Sequence, residues 1–457
     1  MIGNPRPGIH GGVRRLGVAA ALAFVATACG GGAGADKTVT PETPPSSFDR
    51  IQTTVFANNC TNCHSAGSQF ATQSGLVLDR AVAYKNLINA PSVNDNARTD
   101  GLQLVVPGNS AKSLLYQKLL LWDPNHVRDY GAPMPLGDQS LSIGQLEYIR
   151  RWIDAGAPQT GEVADANLLN DVVRPTFQPF SPLVPPQIGY QLRIEPFDVA
   201  AHFERELFIS RSLNNPAPIY VTRVETKMRL NSHHLLLYTF SDNIPKFIVP
   251  APNQIRDIRN ADGSMNVVNM LPMGYHVFFA GSMTPTGGYQ FPPGIALELP
   301  ANATIDLNSH YVNTSGSTLP GEIYANLYTV DKASVQKVAR TLFMNNDSFV
   351  LPAGQRTTIT RTFNVASVTT IIMLTSHMHM HGEKYVIKIA GGARDGETVY
   401  ESTSWSDPRI TTFDTPIVLQ PGQGLTSLVT YNNTTALSLT FGLTSQDEMD
   451  IILGYAY

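Results

Sequence analysis

Apolar and polar positions divide the chain into two textures. Between residues 48 and 158 apolar side chains recur at helical spacing, with Phe48, Ile51, Val55 and Phe56 on one face of a first helix. Ser110 can cap a second helix running through Leu114, Leu115, Leu119 and Leu120. Ser142 and Gln145 form a capping box for a third, which buries Ile143, Leu146, Ile149 and Ile153 and stops at Gly156-Ala157-Pro158. Pro175, Pro179, Pro182, Pro185 and Pro186 mark residues 159–190 as an extended linker. Beyond it, short alternating or β-branched runs appear: Ile219–Val224, Leu235–Phe240, Thr304–Leu307, Thr369–Leu374 and Tyr385–Ile389. Gly, Pro and Asn turns separate them, which predicts antiparallel sandwiches. This texture is too long for one ordinary sandwich, so two are expected in tandem, over 191–335 and 336–457.

The N-terminus reads as an address. Arg6, Arg14 and Arg15 precede an apolar run from Leu16 to Ala28, too short to span a bilayer but suited to the core of a signal peptide over 1–28. The run ends in Ala26-Thr27-Ala28-Cys29-Gly30, which resembles the lipobox of bacterial lipoproteins. That resemblance implies acylation of Cys29 and an exported protein, periplasmic or at the cell surface, held to a membrane by a lipid anchor. Residues 29–47, rich in Gly, Thr and Pro, would be a flexible tether.

Composition narrows the chemistry. The 457 residues carry 32 basic and 36 acidic side chains, a net charge of −4, so no basic surplus exists for nucleic acid. With 42% hydrophobic residues the chain can fill large cores. Only three cysteines occur, Cys29, Cys60 and Cys63, which excludes a disulfide framework.

Cys60-Thr61-Asn62-Cys63-His64 is a C-x-x-C-H sequence, the signature of covalent c-type haem attachment. Two thiols one helical turn apart reach the vinyl groups, and His64 falls beneath the iron. Met134 is the single methionine between residues 48 and 158. It sits between Pro133 and Pro135 in a loop, a setting that suits the second axial ligand better than core filling, with His126 the rival. The three helices and the Met loop resemble a small cytochrome c domain over 48–158, with one covalent haem.

In the β region, histidines and methionines cluster. His233 and His234 are adjacent, so on a regular strand they point to opposite faces, and both reach one ion only at a strand end or bulge. His310 lies in Ser309-His310-Tyr311, where taken alone it would be an interior histidine. His377, His379 and His381 alternate in Ser376-His377-Met378-His379-Met380-His381-Gly382, which predicts one shared strand face suited to a metal. Met449 follows in Gln446-Asp447-Glu448-Met449. Imidazole with thioether favours copper, and no cysteine remains for a thiolate site.

Together these clusters resemble the copper type II, ascorbate-dependent monooxygenases, the peptidylglycine α-hydroxylating and dopamine β-hydroxylating enzymes, over residues 190–457 and in the family's order. The resemblance implies two jelly-roll sandwiches with two coppers per chain. His233, His234 and His310 would hold the first, and His377, His379 and Met449 the catalytic second, leaving His381 as a spare or supporting residue and His276 structural. It also implies hydroxylation of a C–H bond with O2. The peptide-amidating branch grips a substrate carboxylate with Arg, Asn and Tyr, where this chain has Thr375, Ile451 and Leu453. A carboxylate there would be desolvated without a partner, so a small substrate not anchored by a carboxylate is expected. The fused haem would supply electrons in place of ascorbate, drawn from an unidentified external donor. The alternative is a non-enzymatic haem and copper electron-transfer lipoprotein.

Overall fold

The computed structural model describes residues 44–457, apart from 124–125, 127–129, 137–139, 177–179, 231, 314, 406–407 and 443–446. Cys29, with the signal segment and most of the tether, lies outside the described residues, as do Thr444, Ser445 and Gln446 beside Met449. Among the described residues no helix is long and apolar enough to cross a membrane.

The helical region opens at Ser47–Arg50, capped by Ser46 with Asp49, and continues through a π-helical stretch Ile51–Phe56 to Ala57–Asn59. Phe48, Ile51, Val55 and Phe56 are all buried. The capping box of Ser142 and Gln145 starts the helix Ile143–Asp154, whose Trp152 stacks on Phe48 with centroids 5.5 Å apart. Two expectations fail locally. Ile143 is 52% exposed, because the first helical position turns away from the core while Tyr148, Ile149, Trp152 and Ile153 fill it. Ser110 does not cap the middle helix. Asn109 caps a 3₁₀ turn Ser110–Lys112, and the α-helix begins afterwards, at Leu114–Leu120.

Among the described residues, sixteen strands of the β region form two groups of eight, with four further strands outside this pattern. The first group is β1 Gly189–Val199, β2 Phe203–Ser212, β3 Ile219–Met228, β4 Ser232–Phe240, β5 His276–Ser282, β6 Ile295–Leu299, β7 Thr304–Asn313 and β8 Leu319–Val330. The second is β9 Lys337–Asn346, β10 Gln355–Asn364, β11 Thr369–His377, β12 Gly382–Ala390, β13 Thr398–Ser402, β14 Thr411–Leu419, β15 Gly424–Asn433 and β16 Asp450–Ala456. In the first group one sheet runs β1-β8-β3-β6 and the other β2-β7-β4-β5. The second repeats this order, with β9-β16-β11-β14 and β10-β15-β12-β13. That is the interleaved order of a jelly roll, made twice.

The two jelly rolls are continuous. β6 pairs parallel with β9 through Ile295, Ala296 and Leu297 against Lys337, Val338 and Ala339, so one sheet runs through both. Ile372, Met373 and Tyr455 of the second half join the apolar core of the first, and the Tyr455 hydroxyl donates to the Phe279 carbonyl at 2.6 Å. The helical region packs against both halves. Ala132 and Leu136 meet Val312 of the first, while the buried Asp95 accepts from the Ser402 hydroxyl and the Thr403 N–H of the second.

Candidate metal centres and the Cys60–Met134 cavity

The first cluster forms where β3 turns into β4. In the pairing of β4 with β7, Ser232 faces Tyr311 and His234 faces His310, so His233 is an extra residue, a β-bulge. The bulge cancels the alternation that would send His233 and His234 to opposite faces. Ring centroids of His233, His234 and His310 stand 5.0–5.4 Å apart, and one nitrogen from each lies within 4.8 Å of the others.

Surrounding groups decide which nitrogens are available. His234 Nε2 is hydrogen-bonded to Asn308 Oδ1 at 2.7 Å, and His310 Nε2 to Glu204 Oε1 at 2.8 Å. Arg259 holds the same Glu204 oxygen at 3.0 Å, and Asn308 donates to Glu206 at 3.1 Å. The Nδ1 atoms of His234 and His310 are therefore the ones left to meet a metal, oriented by carboxylate and amide partners behind them. Burial pushes His234 down to about 4 and His233 well below the usual range, so both imidazoles are neutral at pH 7. For His310 burial acts downward too, but the hydrogen bond to Glu204 and the charge of Glu206 outweigh it and raise its pKa.

Asp306, Asn308 and His310 occupy alternate positions of β7 and share a face. Asp306 is fully buried, ion-paired with Arg256 and bonded to His276 Nε2 at 2.8 Å. His276 also stacks on Tyr238 at 4.4 Å, a structural setting.

The second cluster departs from the expectation of a single strand face. β11 ends at His377, residues 378–381 form a turn, and β12 begins at Gly382. His377 and His379 nevertheless meet, with ring centroids 5.0 Å apart. The turn is held by Glu448, whose carboxylate accepts the backbone N–H groups of His379 at 2.9 Å and His381 at 2.7 Å. Burial pushes that carboxyl up to about 7. His379 Nδ1 donates to the Asp447 carbonyl at 3.0 Å. The chain then delivers Met449, buried, with its carbonyl accepting from Tyr431 at 2.6 Å. Asp450, beside it, accepts from Tyr385, Asn346 and Ser427. Burial drives His377 down to about 3, with smaller pushes from His379 and from His234 of the first cluster.

In the helical region Cys60, Cys63, His64 and Met134 line one largely apolar cavity of about 240 Å³. His64 Nδ1 contacts the Leu76 carbonyl and the Ser74 hydroxyl, each at 3.2 Å, leaving Nε2 as donor. The Met134 N–H donates to the Lys118 carbonyl at 3.0 Å, and Trp122 Nε1 donates to the Met134 carbonyl at 2.8 Å. The rival His126 is bonded to Gln117 at 2.9 Å. Burial raises both thiols, Cys60 to about 12, which is the reverse of a redox-active pair. The cavity wall is completed by His233 and Met283 of the first jelly roll and Ser404 of the second.

Glu204 and Lys118 lie in no motif, and Glu448 lies in the Met449 segment with its role in holding the turn unread. Alternation along Asp306-Leu307-Asn308-Ser309-His310 is the one signal that exposes a polar face.

No protein-family model and no curated protein matches the chain. Solved structures with some likeness include the STIV MCP, 9% identical, covering 59% of this chain and 92% of that one with a TM-score of 0.23. PNGase F, a glycosylasparaginase from Flavobacterium meningosepticum, is 8% identical and covers 58% and 95% with a TM-score of 0.23. Such scores carry no argument, and the jelly-roll assignment rests on strand order.

Proposed function

We propose that this chain is a copper-dependent monooxygenase that hydroxylates a C–H bond of a small, uncharged substrate with O2, drawing electrons through its own c-type haem. One observation carries the reading: three imidazoles converge at a β-bulge, with the far nitrogen of His310 held by Glu204 and that of His234 by Asn308. Such a nitrogen set suits copper, and the His377, His379 and Met449 set adds the thioether that copper tolerates. The cavity of Cys60, Cys63, His64 and Met134 fits a haem in the same way, with two thiols in reach, a free Nε2 and an apolar lining.

When bound, copper at the second cluster would supply the chemistry that activates O2, and haem would supply single electrons. The chain's own residues keep His233, His234 and His377 neutral by burial and fix tautomers through Glu204, Asn308 and Asp447. Thr375 is buried on β11 opposite Leu453, and Ile451 faces His377, so the surroundings of the second cluster hold no fixed cation at those positions for a carboxylate. That supports a neutral substrate.

The test is copper and haem content of purified protein, followed by oxygen consumption with mass analysis of products from a panel of neutral C–H compounds. Expected are two coppers per haem and a product gaining one oxygen atom. Absence of copper after reconstitution would sink the proposal. Oxygen uptake with no hydroxylated product would instead favour the electron-transfer alternative.

A further inference from the structure

The cavity of the helical region and the three-histidine cluster are not separate sites. His233 is at once a wall of the cavity and a member of the cluster. Lys118 stands on the same side: it lines the cavity, and its ammonium donates to the carbonyls of Tyr130 and Ala132 in the loop that delivers Met134. Its positive charge reaches both His64 and His233. Ala132, Leu136 and Met134 pack with Val312 at the junction, and charge is screened less across an apolar wall than through water.

We propose that a divalent cation held by His233, His234 and His310 tunes the redox potential of the group held at His64 and Met134, across the shared wall of His233 and Lys118. The inference rests on the reading that the cavity takes haem. A cation beside the cavity favours the reduced, less positive iron, so the potential rises when the cluster is filled. By reciprocity, the cluster binds its cation more tightly when the haem is reduced. The expected coupling is on the order of tenfold in affinity, which for one electron corresponds to about 59 mV.

Zinc tests this without any turnover, because it is redox-inert. The haem midpoint of the full chain is measured by spectroelectrochemistry, first after chelation and then with zinc bound. An upward shift is expected in the wild type, retained in His377→Ala and lost in His310→Ala, which removes a donor without touching the cavity wall. Zinc bound at the first cluster with no shift overturns the proposal, as does a full shift persisting in His310→Ala. The wild-type comparison decides even if a variant misfolds. Failure of the parent reading is separately visible: a chain that incorporates no haem overturns both. A zinc-dependent potential in a protein that hydroxylates nothing leaves this inference standing.

Discussion

Single residues set the chemistry of the first cluster. Glu204 carries the far nitrogen of His310, so Glu204→Gln should weaken copper there by about 10- to 100-fold and leave haem content unchanged, as measured by metal titration. Asp306 has a different task. It neutralises Arg256, itself almost fully buried, and Asp306→Ala would strand that cation at a cost of about 3–5 kcal/mol in denaturant unfolding. Burial alone would raise the Asp306 carboxyl, but His276 and Arg256 outweigh it and hold it low. The stability it contributes is therefore present above the ordinary aspartate range and is lost as pH falls through and below about 3.8. Acid titration of the metal-free Asp306→Asn variant should lack that loss. At this scale the sequence pointed to the clustered histidines and was silent about the groups that hold them. For adjacent His233 and His234 to share an ion, alternation already demanded a strand end or a bulge, and the structure has the bulge. Glu204 and Lys118 reach their sites from elements distant in the chain, and no local pattern encodes that.

Elements explain where reading by period breaks down. The alternating histidines of 377–381 mimic a strand, yet the strand stops after the first of them. Glu448 takes the two N–H groups of His379 and His381, which a continuing strand would have offered to a neighbour. Gly382 permits the turn: a Cβ there would strike the buried Met378 side chain and crowd the His379 carbonyl. Gly382→Ala should therefore weaken copper at the second cluster about tenfold or more and spare the first, a difference visible in metal stoichiometry. The helix Ile143–Asp154 was legible because its capping box is contiguous in sequence. Ile143 was misread because helical periodicity alone does not locate the first turn relative to the core. In both jelly rolls the histidines gather at the same corner, between the third and fourth strands. The repeated strand order thus puts two chemically different clusters in equivalent places.

At the scale of the molecule, strand texture predicted two sandwiches but not their fusion. β6 and β9 pair in parallel, and Ile372, Met373 and Tyr455 cross into the core of the first half. Residues 189–457 should consequently unfold in a single calorimetric transition, whereas two resolved transitions would mean the halves are independent. Contacts between halves are non-local, made by residues about forty positions apart at the parallel seam, so hydropathy could not register them. The seam also bears on how the protein is made. As the chain leaves the ribosome, Ile295–Leu297 is complete before its partner Lys337–Ala339 has emerged, and for that interval the nascent protein carries an open edge of unpaired N–H and C=O groups. An edge of this kind invites pairing with another chain, so biosynthesis has a vulnerable window. A gene cut between the halves would make that window permanent. The first fragment alone is expected to aggregate unless the second is synthesised beside it.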